Sequence, residues 1–361
     1  MTDLVDLVAL SLLPSWCWLH VAQYLRGGEP PGGVLRRVAE RHWRDEPDKV
    51  ATLQARAATA IRRAEAHSIA AVRWSDAGYP VALAAIIDPP AVVWVRGQAG
   101  ALNLPAVAIV GSRTASPYAL SVAERLAADL TAAGLVVVSG LARGVDSAAH
   151  RSAVARGGIT VAVLGSGVDV MYPQEHAALA REIETDGAVI SELAPGTPPQ
   201  PQFFPLRNRI ISGLSRAVVV IEAGEKSGSL ITARCALEQG RDVLAVPGNV
   251  LSGRNRGAHA LLRDGAKIVE SADDILEELG MPGRGIVAAA HAGAERPAGP
   301  PPFQDPILGC LTPGEPSDLD ELAERSGLSP ARLLPRLFEL ELQGAVARVG
   351  GGRFVRVDRT C

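Results

Sequence analysis

Between residues 106 and 265, short apolar runs alternate with segments whose apolar residues have helical spacing. The apolar runs are "AVAIV", "LVVVS", "TVAVL", "AVIS", "AVVVIE" and "DVLAVP". Runs without interspersed polar residues are typical of parallel strands that helices cover on both faces. Because strand and helix patterns repeat in this order, the sequence predicts an α/β fold with a Rossmann-like, doubly wound, mostly parallel sheet.

The two flanks of this alternation have different patterns. Residues 1 to about 70 have helical apolar spacing in "VDLVALSLL" and "VLRRVAERHW", so we predict an N-terminal helical domain over 1–70 and a core domain over 71–280. Residues 281–306 are rich in Pro, Gly and Ala, which is typical of a flexible linker. Residues 307–361 contain two helical patterns and then two strand patterns around "GGG", which predicts a winged-helix domain.

Composition and charge narrow the class of protein. Apolar residues make up 47% of the chain and the net charge is −3, which is typical of a globular protein without a global positive field. The four cysteines are far apart and form no CxxC pair, which disfavours a zinc site or a disulfide framework. Since no apolar stretch reaches the length of a membrane span and the N-terminus lacks a signal-peptide pattern, we expect a cytoplasmic protein.

The loops that follow the predicted strands carry the candidate chemistry. In a doubly wound sheet these loops lie at one edge, where ligands bind. They have the sequences "GSR" at 111–113, "SGLARGVD" at 139–146 and "EAGEKSGS" at 222–229, with "GSG", "SELAPG" and "PGN" after other strands. Glycines let a backbone approach a ligand closely, helix N-termini bind anions, and serine hydroxyls add donors. The sequence therefore predicts a row of phosphate-sized sites along this edge.

The predicted phosphate-binding residues combine full positive charge with these donors. Arg113, Arg143 and Lys226 lie within the loops. Arg207 and Arg209 precede a strand, on a short helix that could fold over the same edge. The candidates are Gly111, Ser112, Arg113, Ser139, Gly140, Arg143, Gly144, Arg207, Asn208, Arg209, Lys226, Ser227, Gly228 and Ser229.

Other residues of the same loops have a structural interpretation. For "GSG" at 165–167 a tight turn is slightly favoured over anion binding. Asp146 lies where a helix N-cap belongs, so we predict that it caps the following helix. His150 lies four residues later, a spacing at which the two could hold a metal. Without a third ligand in the sequence, we interpret His150 as a packed histidine and predict no metal site.

Several common chemistries have no matching motif in the chain. No GxxxxGK[ST] motif is present, and "GSGVDV" does not match the GxGxxG of dinucleotide-binding proteins. No GxSxG elbow or paired-carboxylate spacing indicates an activated nucleophile. We therefore expect no cofactor and no catalytic residue.

The ordered motifs resemble the DNA-processing protein A family, also called DprA or Smf. The matching segments are "DPPAVVWVRG" at 88–97, "VAIVGSR" at 107–113, "SGLARGVDSAAH" at 139–150, "VLGSGVDVMYP" at 163–173, "ISELAPG" at 190–196, "FPLRNRIISGLS" at 204–215, "SGSLITA" at 227–233 and "VPGNV" at 246–250. The three-part layout is also similar to family members with an N-terminal helical domain, of the SAM or helix-hairpin-helix (HhH) type, and a C-terminal winged helix.

The resemblance implies a binder of single-stranded DNA that acts in natural transformation. Members of the family protect incoming single strands, form homodimers and help to load the RecA recombinase, without an established turnover reaction. The family pattern implies that Arg113 and Lys226 contact the DNA. The loop around Lys226 departs from commoner forms in length and charge, with Glu222 and Glu225 nearby, and the family's aromatic residue near this loop has no match.

The predicted winged helix has a charge pattern that disfavours duplex reading. Residues 307–361 carry seven arginines against eight acidic residues, and the second helix includes Glu339 and Glu341. A helix that reads a DNA groove is normally more basic. We therefore expect a protein-contact or folding role at least as much as binding of double-stranded DNA.

Two alternative functions come from other classes of protein. Rossmann-like phosphoribohydrolases, which cleave nucleoside monophosphates, share the open sheet but need a "PGGxGT" loop and a catalytic glutamate. The corresponding loop here is "SGSLIT", followed by Glu238, which we interpret as a surface residue. A scaffold without any ligand would require the arginine-bearing loops to be coincidental.

Overall fold

The computed structural model describes residues 2–281, 306–312, 315–342, 345–350 and 352–357. Within these ranges the main sheet has nine strands in the order β1-β2-β6-β5-β4-β3-β7-β8-β9. The strands of this sheet are β1 Ala70–Arg73, β2 Val92–Gly97, β3 Ala106–Val110, β4 Val136–Ser139, β5 Thr160–Val163, β6 Ala188–Ser191, β7 Ala217–Val220, β8 Asp242–Ala245 and β9 Lys267–Ile268. Pairing is parallel from β6 through to β9, whereas β2 pairs antiparallel with both β1 and β6.

Helices precede the sheet and then alternate with its strands. They are α1 Thr2–Ser11, α2 Trp18–Arg26, α3 Pro31–His42, α4 Lys49–Ala66, α5 Val81–Ala84, α6 Pro117–Ala132, α7 Val145–Ala155, α8 Ala177–Asp186, α9 Phe203–Leu214, α10 Ser229–Glu238, α11 Arg256–Arg263 and α12 Ala272–Glu278. Short 3₁₀ helices lie at Ser15–Cys17, Ala99–Asn103 and Gln174–His176.

The central strands are buried on both faces, which explains their unbroken apolar sequence. Val136 and Val138 of β4 belong to the apolar cluster on one face of the sheet, and Val137 belongs to the cluster on the other face. Successive side chains of a strand point to opposite faces, so each strand must be apolar throughout to fill both layers. The predicted doubly wound, mostly parallel sheet is confirmed.

The sequence-based boundaries of the core elements agree with the structure to within a few residues. The helix that begins at Pro117 is confirmed, and its N-cap is Ser116, whose hydroxyl accepts a hydrogen bond from the Ala119 amide. Strands β1, β2 and β9 and helix α12 are not predicted from the sequence pattern. Two of these strands are short and partly or wholly exposed, so the apolar run that identified the central strands is missing from them.

The chain reverses its direction across the sheet between β3 and β7. From β3 it proceeds outwards through β4, β5 and β6, and it then returns to β7 on the opposite side of β3. The loops after β3 and β7 therefore leave the sheet towards different faces and open a crevice at its carboxyl edge. In open α/β sheets this switch point is where ligands bind.

The N-terminal helices share a hydrophobic cluster with the edge of the sheet. Leu10, Leu35 and Leu53 of α1, α3 and α4 pack in one cluster with Trp94 of β2 and with Ala194. This contact holds α4 beside the loop that follows β6. Among the described residues no single helix is both long and apolar enough to cross a membrane, and the pair Asp3–Ser11 and Ser15–Arg26 passes that test only together, with a bend of 116°.

The C-terminal part forms the predicted winged helix. Its elements are α13 Pro306–Cys310, α14 Leu319–Ser326, α15 Pro330–Leu342, β10 Val346–Val349 and β11 Arg353–Arg356. Strands β10 and β11 pair antiparallel as the wing, and Leu322, Leu337 and Phe354 belong to its own hydrophobic cluster. The predicted linker at 281–306 lies, apart from its two end residues, outside the described residues.

Candidate nucleic-acid interface

A cleft of about 710 Å³ lies at the switch point of the sheet. Its walls come from the loop after β3, the loop after β7 and the N-terminal part of α9. The predicted residues that line it are Gly111, Ser112, Arg113, Arg207, Asn208, Lys226, Ser227, Gly228 and Ser229. Loops that are separated by more than 100 residues in the sequence thus meet at one site because their strands are neighbours.

Two exposed cations line the cleft from the two sides of the switch point. Arg113 follows β3 and Lys226 follows β7, and both side chains are exposed. Within the described part of the chain neither forms an ion pair with a carboxylate. The neighbouring Glu225 pairs instead with Arg256, at 3.5 Å. Both cations are therefore available to an anion in the cleft.

Aromatic rings form another wall of the cleft. The rings of Tyr172 and Phe204 have centroids 5.4 Å apart, and the Arg113 guanidinium lies 5.5 Å from the Phe204 centroid. Tyr172 retains 43% of its accessible surface. Gly165 permits this packing, because a Cβ atom there would lie 2.9 Å from the Phe204 ring. The cleft thus combines cations with an aromatic surface that is open to solvent.

The floor of the cleft is a buried arginine. The Arg207 guanidinium donates to the carbonyl of Gly140 at 2.7 Å and to that of Val163, and it lies 4.0 Å from the Asp146 carboxylate. Burial lowers the pKa of Arg207 to about 10, although Asp146 opposes this shift. Burial also raises the pKa of Asp146. Arg207 therefore joins the ends of β4 and β5 and adds positive charge beneath the cleft.

The N-terminus of α10 supplies further donors at the cleft. Gly228 is the N-cap and has no side chain, and the Ser227 hydroxyl accepts from the Ser229 amide at 3.4 Å. The hydroxyls of Ser227 and Ser229 lie 2.7 Å apart, and the Asn208 amide donates to the Gly228 carbonyl at 3.3 Å. These two hydroxyls, together with the helix dipole, favour an anion at this position.

Five of the predicted residues do not line the cleft. Ser139 is buried and donates to the Ile109 carbonyl at 2.6 Å, which ties β4 to β3. Arg143 is exposed but forms a two-point ion pair with Glu175, at 2.5 and 2.8 Å. These five residues are Ser139, Gly140, Arg143, Gly144 and Arg209.

The position of Arg209 corrects the expectation that both arginines of this helix reach the edge. Its guanidinium is buried between Glu192, at 2.7 Å, and Asp88, at 3.1 Å, under the ring of Trp18. Residues two apart on a helix are rotated by about 200° around its axis, so their side chains lie on nearly opposite sides. Arg207 and Arg209 therefore face opposite sides of α9, and Arg209 neutralises acidic groups away from the cleft.

Gly144 positions the loop that carries Arg113. It adopts a φ of +76°, and a Cβ atom there would lie 2.2 Å from the Ser112 carbonyl oxygen. The adjacent Val145 amide donates to the same oxygen at 3.2 Å. The glycine thus serves the cleft through close backbone packing rather than as part of its lining.

The prediction that Asp146 caps α7 is wrong. The helix begins at Val145, with Gly144 as its N-cap. The Asp146 carboxylate accepts instead from the amides of Gly140 and Ala142, at 3.1 and 3.4 Å. The interpretation of His150 as a packed residue is confirmed, because it is fully buried with Nδ1 2.7 Å from the Thr160 hydroxyl.

The family of the chain follows from comparison with known proteins. Residues 70–280, more than half of the chain, match the family model of DNA recombination-mediator protein A. The chain belongs to this family. Residues 291–352 match the DprA winged helix domain. Protein Smf of Escherichia coli is 41% identical over 289 residues, which cover 78% of this chain and 76% of that protein.

Other members of the DprA/Smf family are also similar to this chain in sequence and in structure. DNA processing protein DprA of Streptococcus pneumoniae is 46% identical over 203 residues, covering 56% of this chain and 72% of that protein. Its crystal structure matches with a TM-score of 0.67 over 75% of this chain and 95% of that one, at 38% identity. DNA processing protein A of Helicobacter pylori, studied for its single-stranded DNA binding mode, matches with a TM-score of 0.53 at 29% identity, covering 58% and 95%.

Sequence reasoning missed the aromatic wall of this DprA-family cleft. It found no aromatic residue near the loop of Lys226, because Tyr172 lies in the loop after β5 and Phe204 lies in the first turn of α9. Both occur within segments that resemble the family, "VLGSGVDVMYP" and "FPLRNRIISGLS". The signal was present in the sequence, but only the packing of α9 across the sheet edge brings these rings beside Arg113.

Proposed function

We propose that this chain binds single-stranded DNA in the cleft at the switch point. The observation that carries the proposal is the pair of exposed cations, Arg113 and Lys226, which line the cleft without a carboxylate partner among the described residues. Phosphates of a strand pass between them and meet the Ser227 and Ser229 hydroxyls at the positive end of the α10 dipole. Buried Arg207 adds to the positive potential of the floor without needing direct contact.

The aromatic wall supports selection of a single strand over a duplex. Tyr172 is 43% exposed and its ring lies beside that of Phe204. An unpaired base can stack on such a ring, with a gain of ~1–3 kcal/mol per base, whereas the bases of a duplex already stack on one another. Backbone contact with stacking and without base-edge hydrogen bonds gives binding that tolerates any sequence.

The cellular role that we propose follows from membership of the DprA/Smf family. The chain acts in the cytoplasm as a mediator of DNA processing in natural transformation, where it protects incoming single strands and helps to load RecA. The H. pylori relative studied for its single-stranded DNA binding mode supports the DNA partner. The chain is proposed to act by binding rather than by turnover.

A homodimer is part of this proposal. Strand β9 is the last strand at its edge of the described sheet, and its Ile268 side chain is 56% exposed. Leu237, on α10, is 61% exposed. An open sheet edge with apolar side chains is a surface on which a second copy can pack. Two clefts in one assembly would lengthen the track for a bound strand.

The position of Glu238 argues against a phosphoribohydrolase. Glu238 is exposed and is the last residue of α10, whereas the cleft lies at the first residues of that helix. Ten helical residues separate the two ends by about 14 Å. Of the described residues that line the cleft, Asp146 alone carries a carboxylate. This carboxylate accepts hydrogen bonds from two amides of its own loop, which gives it a structural role.

The experiment that tests the proposal compares DNA ligands on matched variants. A labelled oligothymidylate, its duplex and AMP are titrated against the wild-type chain, Arg113→Gln and Lys226→Gln. Arg125→Gln is the control, since Arg125 is an exposed arginine of α6 whose side chain is 74% accessible. We expect a loss of affinity for the single strand in the first two variants only. Equal affinity in all four chains, or preference for AMP with release of ribose 5-phosphate, would overturn the proposal.

A further inference from the structure

A second groove lies beside the cleft, between α4 and the loop that follows β6. Its volume is about 850 Å³. One wall is the face of α4 that carries Ala55, Arg56, Thr59 and Arg63, and the opposite wall includes Gly196 and Gln200. The first wall follows helical spacing, so these four side chains share one side of the helix.

The groove is positively charged along α4. Arg56 is exposed and forms neither an ion pair nor a side-chain hydrogen bond with the residues that the structure describes. Arg63 lies two turns further along, which is about 10 Å. Its Nε bonds Asp169 at 2.5 Å, while its side chain remains 47% accessible. Asp169 is nearly buried and also accepts from the Gly196 amide at 2.7 Å, so Arg63 is a paired but accessible cation, and Arg56 supplies the uncompensated charge of the groove.

The groove and the cleft share a wall. Gln200 and Phe203 line the groove, and their neighbours Pro201 and Phe204 line the cleft. A strand that leaves the cleft past the aromatic wall reaches the groove by crossing only the 200–203 segment. The lining of the groove includes Gly196 and other small residues, which project little into it. A sugar–phosphate backbone can therefore approach the arginines closely.

We propose that this groove is a second binding site for the same DNA strand, where Arg56 and Arg63 contact phosphates of the nucleotides that lie outside the cleft. This inference rests on the proposed function of the cleft. The groove site makes affinity depend on strand length, because a short strand fills the cleft alone and a longer strand fills both sites. It also gives the N-terminal helices a direct part in DNA binding.

The test uses the full-length chain and two labelled oligothymidylates, of about 6 and about 24 nucleotides. Arg56→Gln removes a charge that has no ion-pair partner among the described residues, so the fold is preserved, and the control is Arg125→Gln on α6, where the arginine lies 3.9 Å from Asp129. We expect Arg56→Gln to weaken binding of the long strand about fivefold and to reduce its salt slope by about 0.7, the value for one phosphate contact. The short strand should bind as it does to the wild type.

Two outcomes separate this inference from the proposed function. If Arg113→Gln weakens both strands while Arg56→Gln weakens neither, the cleft binds DNA and the groove does not. If Arg56→Gln weakens both strands equally, its charge acts at a distance and not through a groove site, which also overturns the inference. If the wild type binds neither strand, the cleft proposal fails and the groove proposal fails with it.

Discussion

The Arg207 guanidinium lies 4.0 Å from the Asp146 carboxylate, beneath the floor of the cleft. Both side chains are almost completely buried. Arg207 also bonds the carbonyls that end β4 and β5, and Asp146 bonds the amides of the loop after β4. This pair fixes the backbone from which the loops around the cleft extend, so the cleft has a preformed floor before any DNA arrives.

Removing one member of this pair should destabilise the fold strongly. Arg207→Met keeps most of the volume but leaves the Asp146 carboxylate buried without its partner, so we expect the free energy of unfolding to fall by about 3–5 kcal/mol. Urea unfolding followed by circular dichroism measures this loss. Asp146→Asn added to the same chain should recover part of it, because a neutral amide costs less to bury. A loss below about 1 kcal/mol would show that the pair contributes little.

Arg113→Ala should weaken binding of a single strand by ~1–3 kcal/mol, the scale of a charge-assisted hydrogen bond. Its side chain is exposed and makes no ion pair with a described carboxylate, so the melting temperature should be unchanged. Fluorescence anisotropy at low and at moderate salt gives the affinities, with Arg125→Ala as the control. An unchanged affinity at both salt concentrations would remove Arg113 from the site.

The aromatic wall should contribute through unpaired bases. Tyr172→Leu keeps an apolar side chain but removes the ring face, so we expect affinity for an oligothymidylate to fall by ~1–3 kcal/mol. A strand of abasic nucleotides should bind the wild type and Tyr172→Leu equally, because it has no base to stack. If the variant lost the same affinity for the abasic strand, Tyr172 would act on the shape of the cleft instead.

Salt should weaken the complex in proportion to the phosphates bound. For a single strand, log K should fall linearly with log salt, by about 0.7 for each phosphate contact. Arg113→Gln and Lys226→Gln should each lower the slope by about that amount. The slopes come from titrations at a series of salt concentrations. A flat response in the wild type would mean that phosphates do not dominate the affinity.

His150 should make the fold less stable as the pH falls. Burial, together with the charges of Arg207 and His176, lowers the pKa of His150 to about 3, so the folded state keeps it neutral while the unfolded state takes up a proton near pH 6.5. The unfolded state therefore binds more protons between these values, and stability is lost as pH falls below about 6.5. From pH 7 to pH 5 this group should lower the free energy of unfolding by about 2 kcal/mol.

His150→Gln provides the comparison for this pH effect. The glutamine amide can still donate to the Thr160 hydroxyl, but it does not titrate. The drop in the free energy of unfolding between pH 7 and pH 5 should therefore be about 2 kcal/mol smaller in the variant. Equal drops in the two chains would assign the pH dependence to other groups.

The winged helix should be dispensable for most of the affinity. A chain that ends at Gly280 keeps the cleft and the groove, whereas residues 307–361 carry more acidic than basic side chains. After circular dichroism shows that both fragments are folded, the same labelled strand is titrated against each. We expect the 1–280 fragment to bind nearly as tightly as the full chain. If the 307–361 fragment carried the affinity instead, the cleft would not be the main DNA site.

Hydrophobic patterning alone predicts the alternating strands and helices from β3 to α11 and the glycine- and serine-rich loops after β3 and β7 that line the cleft. Continuous apolar runs such as Ala106–Val110 have one stable environment, a strand covered on both faces. The loops after such strands must lie at the carboxyl edge of the sheet, so the sequence predicts that Arg113 and Lys226 share one edge. Glycine in these loops allows a ligand to approach the backbone closely, and serine adds hydrogen-bond donors. Both properties can be recognised from the residue type alone.

Which side chains around the cleft face a ligand depends on how α9 packs against the sheet. Helix α9 buries Ile210, Ile211 and Leu214 in the core, and this packing fixes its rotation. Arg207 is thereby turned into the floor and Arg209 away from it. The same packing sets the ring of Phe204, in the first turn of α9, beside Tyr172 and Arg113 of two separate loops. Such contacts depend on the rotation of a helix about its axis against the sheet. The packing of all the core side chains together fixes this rotation, so a local sequence pattern does not reveal it.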